Sequence, residues 1–478
     1  MAKRLSSIFL PRLTGFDPYQ KLPKYAIIAG VFFISVLVAL RPTSRLTLLV
    51  LGAVLALFVS LFLLRNLALG LLGVLVACLL LPNFLGSGGM GATISPPVLM
   101  LVLVLGLWMV DMVVLKKQIK LVRSRITLSV IVFLVVSLIA FLNGQIIYYS
   151  FANLAPITAQ IGGLLVFFLS IGAILAAGNL IHDLKWLKNF TWLFLALGTL
   201  YILGRIIHPL GNVTLRLFQN GSEASIFWIW LAAIAFSQAL LNRNMDKRWR
   251  VALFSLLVAT FYVAITQAYD WKSGWLPPLV ALVVILLIGE PKLRIPLLIL
   301  VGVTIVFNLT DKLGNLFSHG EDYSMMTRVV AWRIVLEIAK VNPILGLGMA
   351  NYYWYTPLFP ILGYSVQFNS HNNYVDIIAQ TGVIGLACFF WVAFELGHIG
   401  WGLRDRVPDG FPKAYVIGAL GGLAGTLVSG MLGDWILPFV YNVGLPGFRA
   451  SLIGWLFLGG LLALEAMYWA KGENLSSR

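Results

Sequence analysis

The chain has 478 residues, of which 60% are hydrophobic and 11% charged, and its formal net charge is +16. A soluble domain is about 45–50% apolar and about 25% charged, so this composition excludes a water-covered globule and points to an integral membrane protein. The basic excess sits in short clusters between apolar runs, the pattern of membrane orientation and headgroup contact and not of a nucleic-acid-binding face.

The N-terminus, Met1 to Lys24, is basic and contains Pro11, Pro18 and Pro23. The apolar run that follows has spanning length and no small-residue cleavage site, so it reads as a first transmembrane helix and not a removed signal peptide. A spanning helix needs about 20 mostly apolar residues. Such runs occur near 25–40, 46–64, 67–83, 95–115, 126–143, 155–177, 187–207, 224–241, 251–267, 275–289, 294–309, 374–397, 412–430 and 449–470. The run at 275–289 is the weakest of these, because Pro277 and Pro278 suit a helix start better than an interior. The expected fold is all-α and polytopic, with about 12–14 transmembrane helices and one long external loop. Three parts are expected: N-terminal helices over 1–207, a catalytic region over 208–430 that includes the loop 308–373, and a last helix with a tail over 431–478.

Lys and Arg in the connections set orientation. With the N-terminus in the cytoplasm, the inner segments include Lys116 to Arg125, Arg243 to Arg250, Lys292 to Arg294 and Arg404 to Lys413. The connections 85–95 and 143–153 fall outside and contain no Lys or Arg, while Arg41-Pro42-Thr43-Ser44-Arg45 is the exception. Both termini come out cytoplasmic and the 308–373 loop comes out external.

That loop is the long polar interruption in the chain. Met326, Val329, Val330, Trp332, Ile334, Val335, Ile338 and Ala339 recur at helical spacing, with Arg328, Glu337 and Lys340 between them, which predicts an amphipathic helix at the membrane surface. Asn342-Pro343 stops it and Gly346-Leu347-Gly348 turns the chain. Tyr352-Tyr353-Trp354-Tyr355 suits an interfacial belt or stacking on sugar rings.

Basic residues on the outer side run against the orientation rule and are therefore informative. Arg216, Lys272, Arg328 and Arg333 stand near that surface, where they could converge on a pyrophosphate: Arg supplies planar paired donors and Lys a point charge. The plainer alternative for each is snorkelling. His371 titrates in the range suited to proton transfer and sits between Ser370 and the amides Asn372 and Asn373. His319 lies in a loop tip; His182, His208 and His398 have little polar company. Cys78 and Cys388 lie inside apolar runs and read as small buried hydrophobes. Without HExxH, paired ligand spacing, a phosphate-binding glycine loop or GxSxG, the sequence implies no metal and no cofactor. Asp111 and Glu395 are acids within spans that need an explanation.

Thr327-Arg328, Trp332, Asn342-Pro343-Ile344-Leu345-Gly346-Leu347-Gly348, Ser370-His371-Asn372-Asn373-Tyr374 and Thr381-Gly382-Val383-Ile384-Gly385 together resemble the O-antigen ligase family, whose superfamily includes O-antigen polymerases and protein O-oligosaccharyltransferases. Arg216-Leu217-Phe218-Gln219-Asn220 is similar to the family's arginine segment before a central span, and the resemblance covers roughly 210–390. It implies a metal-independent, inverting glycosyltransferase of the bacterial inner membrane. Its donor would be a glycan on undecaprenyl pyrophosphate and its acceptor a glycan or lipid hydroxyl on the outer face. His371 would deprotonate or orient the acceptor, and Arg216, Lys272 and Arg328 would hold the pyrophosphate. Asn220, Asn372, Asn373 and Arg333 would support them. Where the family commonly has a Ser-Arg-Gly type sequence, this chain reads Asp270-Trp271-Lys272-Ser273-Gly274, so Lys272 keeps the charge without the fork, and Asp270 is a possible partner for it. Ligase and polymerase share these motifs. A small-anion transporter also suits a cationic pocket, but no pair of matching Gly/Pro-broken spans supports it.

Overall fold

The computed structural model describes residues 57–81, 95–218, 224–268, 271–300, 302–303 and 323–476. The expected span at 25–40, most of that at 46–64, the end of that at 294–309, and Asn220, Asp270 and His319 lie outside these residues.

The helices are α1 Leu67–Leu80, α2 Pro96–Val110, α3 Ile126–Asn143, α4 Ile157–Leu180, α5 Leu184–Ile206, α6 His208–Leu217 and α7 Ser225–Leu241. They continue with α8 Lys247–Gln267, α9 Lys272–Gly289, α10 Tyr323–Ala339, the single turn α11 Tyr352–Tyr355, α12 Asn373–Leu403, α13 Phe411–Leu432 and α14 Gly444–Ser476. Among the described residues no strand is formed, and nine helices are long and apolar enough to span a bilayer. Two shorter apolar helices, Leu67–Leu80 and Ser225–Leu241, accompany them. The chain is an all-α, multi-pass membrane protein. Prolines 277 and 278 sit in the second turn of α9, whose start at Lys272 lies three residues ahead of the expected run.

The chain divides into two compact units. The first comprises 1–69 with 106–120. In it α2 runs on into a π-helical turn, Asp111–Leu115, and Lys116 Nζ lies 2.6 Å from Asp111 Oδ2. The acid within the span therefore has its counter-charge five residues on.

The second unit, 70–105 with 121–478, is built around α7. Every residue of that helix from Ser225 to Ala239 is buried. A helix apolar on all sides can be buried on all sides, and α5, α8, α9, α13 and α14 surround it. Trp230 stacks on Phe457 of α14 with centroids 5.1 Å apart, and Phe194 of α5 meets both Phe227 and Phe457 edge-on. Outer helices differ: α8 exposes Val251, Phe254, Val258, Tyr262 and Ile265, an apolar stripe at helical spacing that suits lipid. Glu395, the other acid within a span, faces Arg125 at 3.7 Å and accepts from Trp391 Nε1 at 3.2 Å.

α12 is broken. At Gly382 the backbone takes φ +69°, ψ −174°, a region open to glycine alone. The turn 343–348 fills the break: Val383 N–H donates to Pro343 O at 2.9 Å, while Leu347 and Gly348 N–H donate to Ala379 O and Gln380 O at 2.8 and 3.0 Å. The carbonyls and amides that the break frees thus find partners in the loop, as apolar surroundings demand. Past the break, 383–403 is about 31 Å of helix at 1.5 Å per residue, one bilayer core.

Candidate active site

The expected amphipathic helix forms as α10, but its apolar stripe does not lie on lipid. Ala331, Val335, Ile338 and Ala339 are buried, and the last three pack with Tyr352, Tyr355, Val375, Ala379 and Phe439. Met326, Val329 and Leu336 remain exposed. Two of the four aromatics, Tyr352 and Tyr355, are buried in the same way, while Tyr353 and Trp354 stay half-exposed. Tyr352 stacks on Phe439 at 4.8 Å and Tyr353 on Tyr441 at 4.5 Å. Tyr352 and Tyr355 have no face left for a sugar; Tyr352 binds the loop to the segment between α13 and α14, and Tyr355 packs against Tyr149, 5.0 Å between ring centres.

α10 sorts its two arginines by periodicity. Arg328 and Trp332 are four residues apart and share a face. Trp332 Nε1 donates to Ser370 O at 2.7 Å, and half-buried Arg328 donates to Leu432 O at 3.3 Å. Arg333 is five residues from Arg328, about 140° round the helix, and is exposed.

His371 stands where the loop enters α12. Its backbone is left-handed, φ +49°, uncommon outside glycine although tolerated by His, Asn and Asp. Its neighbours hold it there. Ser370 Oγ donates to Asp376 Oδ1 at 2.7 Å and accepts from Asn372 N–H at 3.0 Å. Asn372 Oδ1 caps α12, accepting from Tyr374 and Val375 N–H at 3.0 and 3.4 Å. Asn373 clamps the following segment, donating to Leu437 O and accepting from Ile436 N–H, both at 2.8 Å. Both amides are buried, and their side-chain hydrogen bonds are to backbone groups just past His371 and to the 436–437 segment.

The imidazole Nδ1 lies 3.3 Å from Asn442 Nδ2, and the same amide nitrogen donates to Asp434 Oδ1 at 2.6 Å. Asp434 Oδ2 accepts from Phe439 N–H at 2.9 Å. Below them, Tyr352 O–H donates to Asp376 Oδ1 at 2.5 Å, while Asp376 Oδ2 is buried with no hydrogen bond. Burial, and then the Arg328 guanidinium, hold the His371 pKa below the ordinary imidazole value. It is therefore neutral at pH 7. Burial pushes the Asp434 carboxyl up, and its bonds to Phe439 N–H and Asn442 offset part of that.

Lys272 opens α9 and is exposed; beside it Trp271 packs edge-on against Trp435 at 6.0 Å. Lys272 and Arg328 thus belong to elements that meet the same 432–435 segment from two sides. Arg216 is exposed in the last turn of α6. The structure brings His371, Asn372, Asn373 and Arg328 together, and Arg333 points to another side of α10 from Arg328. Asp434, Asn442, Tyr352 and Asp376 are additions. The available signal for Asp434 was an acid ending an apolar run on the same side as the His371 loop.

Residues 210–390 match the model of the O-antigen ligase family. The exopolysaccharide production protein ExoQ of Rhizobium meliloti (strain 1021) is 26% identical over 114 residues, covering 22% of this chain and 26% of that protein. This chain therefore spans about a quarter of that curated relative. The matched stretch runs from α6 through the His371 loop to the middle of α12, so this multi-pass membrane protein carries a region that matches the O-antigen ligase family model.

Proposed function

We propose that this protein is a membrane glycosyltransferase that moves a glycan from a lipid pyrophosphate, undecaprenyl pyrophosphate in a bacterial inner membrane, to an acceptor hydroxyl on the external face. The observation that carries the reading is a neutral, half-buried His371 beside Arg328, inside the family-matching region. The acceptor oxygen attacks the anomeric carbon, its proton passes to His371 Nε2, and the bond from that carbon to the pyrophosphate oxygen breaks. The electron pair leaves with the pyrophosphate, and attack from the opposite side inverts the centre. Arg328 and Lys272 stabilise the departing charge, with Arg216 engaging once the donor is bound. Asn372, Asn373 and the tyrosine–aspartate pair keep the imidazole in place.

Asn442 sets the tautomer. With its nitrogen toward both His371 Nδ1 and an ionised Asp434, the ring presents Nε2–H. Turned over, the amide oxygen accepts from Nδ1–H and from a protonated Asp434, and Nε2 becomes a base. Burial favours the protonated Asp434 that this second arrangement needs. The alternative within the same chemistry is a polymerase variant, in which the acceptor is another copy of the glycan. Purified protein given an undecaprenyl-pyrophosphate-linked glycan, with EDTA, tests the proposal. Product from wild type and none from His371→Ala supports it, and product mass separates transfer to a distinct acceptor from chain growth. Equal product from both removes His371 from the chemistry. No product from several donors, with anion uptake in proteoliposomes, replaces the enzyme with a transporter.

A further inference from the structure

A second concave site lies at the end of the bundle opposite His371. α13 runs from Phe411 at this end to Leu432, the partner of Arg328, at the other. α5 starts here, α7 ends here and α8 starts here, and between them is a cavity of about 350 Å³. One part of its wall is apolar, from Trp192, Met245 and Phe411; another is polar, from Lys188, Asn242 and Asn244.

Lys188 is the key group. It is exposed, its ammonium lies 5.7 Å from the centre of the Phe411 ring, and among the described residues no carboxylate pairs with it. Asp409 is itself part of the lining, but Lys413 matches it at 2.8 Å and Arg243 also lowers its pKa. With Asp409 matched by Lys413, Lys188 is the cation left over. Asn242 and Asn244 each commit one amide hydrogen, to Gln238 Oε1 and Asp409 O, and keep one to donate, and Trp192 and Phe411 supply an indole and phenyl wall. Because spanning helices begin and end around it, the cavity lies at headgroup depth. A basic pocket between helices at that depth matches a lipid phosphate.

We propose that this cavity binds the headgroup of an anionic phospholipid. The phosphate sits at Lys188 and the Asn244 amide, and the glycerol carbons lie on Trp192 and Phe411. A free phosphate offers the same charge but leaves the apolar wall bare, which favours the lipid. The site is independent of the His371 chemistry, and its loss leaves the donor and acceptor groups untouched.

The test is native mass spectrometry of the full-length protein, delipidated in detergent and titrated with phosphatidylglycerol, phosphatidylcholine or inorganic phosphate. Wild type is expected to take its first phosphatidylglycerol about fivefold more tightly than phosphatidylcholine for each cation engaged. Lys188→Gln, at an exposed position, removes that preference without changing the melting temperature. Met245→Trp fills the cavity without altering charge and blocks the same site. Equal retention of both lipids by wild type, or an unchanged preference in both variants, overturns the proposal. Displacement of the lipid by equimolar inorganic phosphate also overturns it, because the ligand is then a soluble phosphate.

Discussion

Gly382→Ala places a β-carbon where the loop meets the broken helix. The atom would stand 2.0 Å from Ile344 O and 2.3 Å from Ile344 C, backbone atoms that no side-chain rotation can move aside. The φ of +69° is itself costly for alanine, roughly 2 kcal/mol. Relief requires the 343–348 turn to lift away, which forfeits the three hydrogen bonds from Val383, Leu347 and Gly348. At about 1 kcal/mol each they bring the total to about 5 kcal/mol. Gly402, in the same helix, has open space for 4 Å around the place a β-carbon would take, so Gly402→Ala should stabilise by roughly 0.5–1 kcal/mol through helix propensity. Thermal unfolding in detergent, followed by tryptophan fluorescence, should put Gly382→Ala about 5 °C below wild type at about 1 °C per kcal/mol for a chain of this length, and Gly402→Ala at or slightly above it. Equal midpoints for the two alanine variants would refute the claim that the loop plugs the helix break.

Transfer by wild type should fall as pH drops below the ordinary imidazole range, because the depressed His371 pKa keeps the base neutral until then; Arg328→Gln removes the second cause of that depression and should move the acid limb to higher pH, read from a pH–rate profile. Asn351 is fully buried, donates to Gly144 O and Leu347 O at 2.7 and 2.8 Å, and accepts from Ala155 N–H at 2.9 Å, so Asn351→Leu should cost about 3–5 kcal/mol by the same unfolding assay, through orphaned groups. Asn442→Leu should lower transfer while leaving donor binding intact, whereas Arg216→Ala should weaken donor binding more than Arg216→Lys; donor titration against single-turnover rate separates the two.

The spanning helices were legible because lipid imposes a simple demand, about 20 apolar residues per crossing. The run at 126–143 and α3 coincide residue for residue. His371, its flanking amides and Arg328 were legible because polar groups are scarce in this chain and these cluster. What could not be read was pairing across distance. Asp434 and Asn442 reach His371 only after the chain has crossed twice more. The Tyr352–Tyr355 run has the same residue types whether it lies in an interfacial belt or under a loop; only contact with Phe439 and Tyr441 decides it. The 342–348 turn and Gly382 were each visible as motifs, but nothing in their spacing says that one plugs the other.

The complete enclosure of α7 has a consequence for biogenesis. Four of the helices that cover it, α8, α9, α13 and α14, follow it in the chain and are made later. As it leaves the translocon it faces lipid on sides that will end inside protein. An all-round apolar surface makes that wait tolerable. Its final position therefore depends on the order of synthesis, and a polar residue placed in its apolar stretch, Ile226 to Phe236, would first be felt as a fault of insertion timing, before any packing partner exists to accept it.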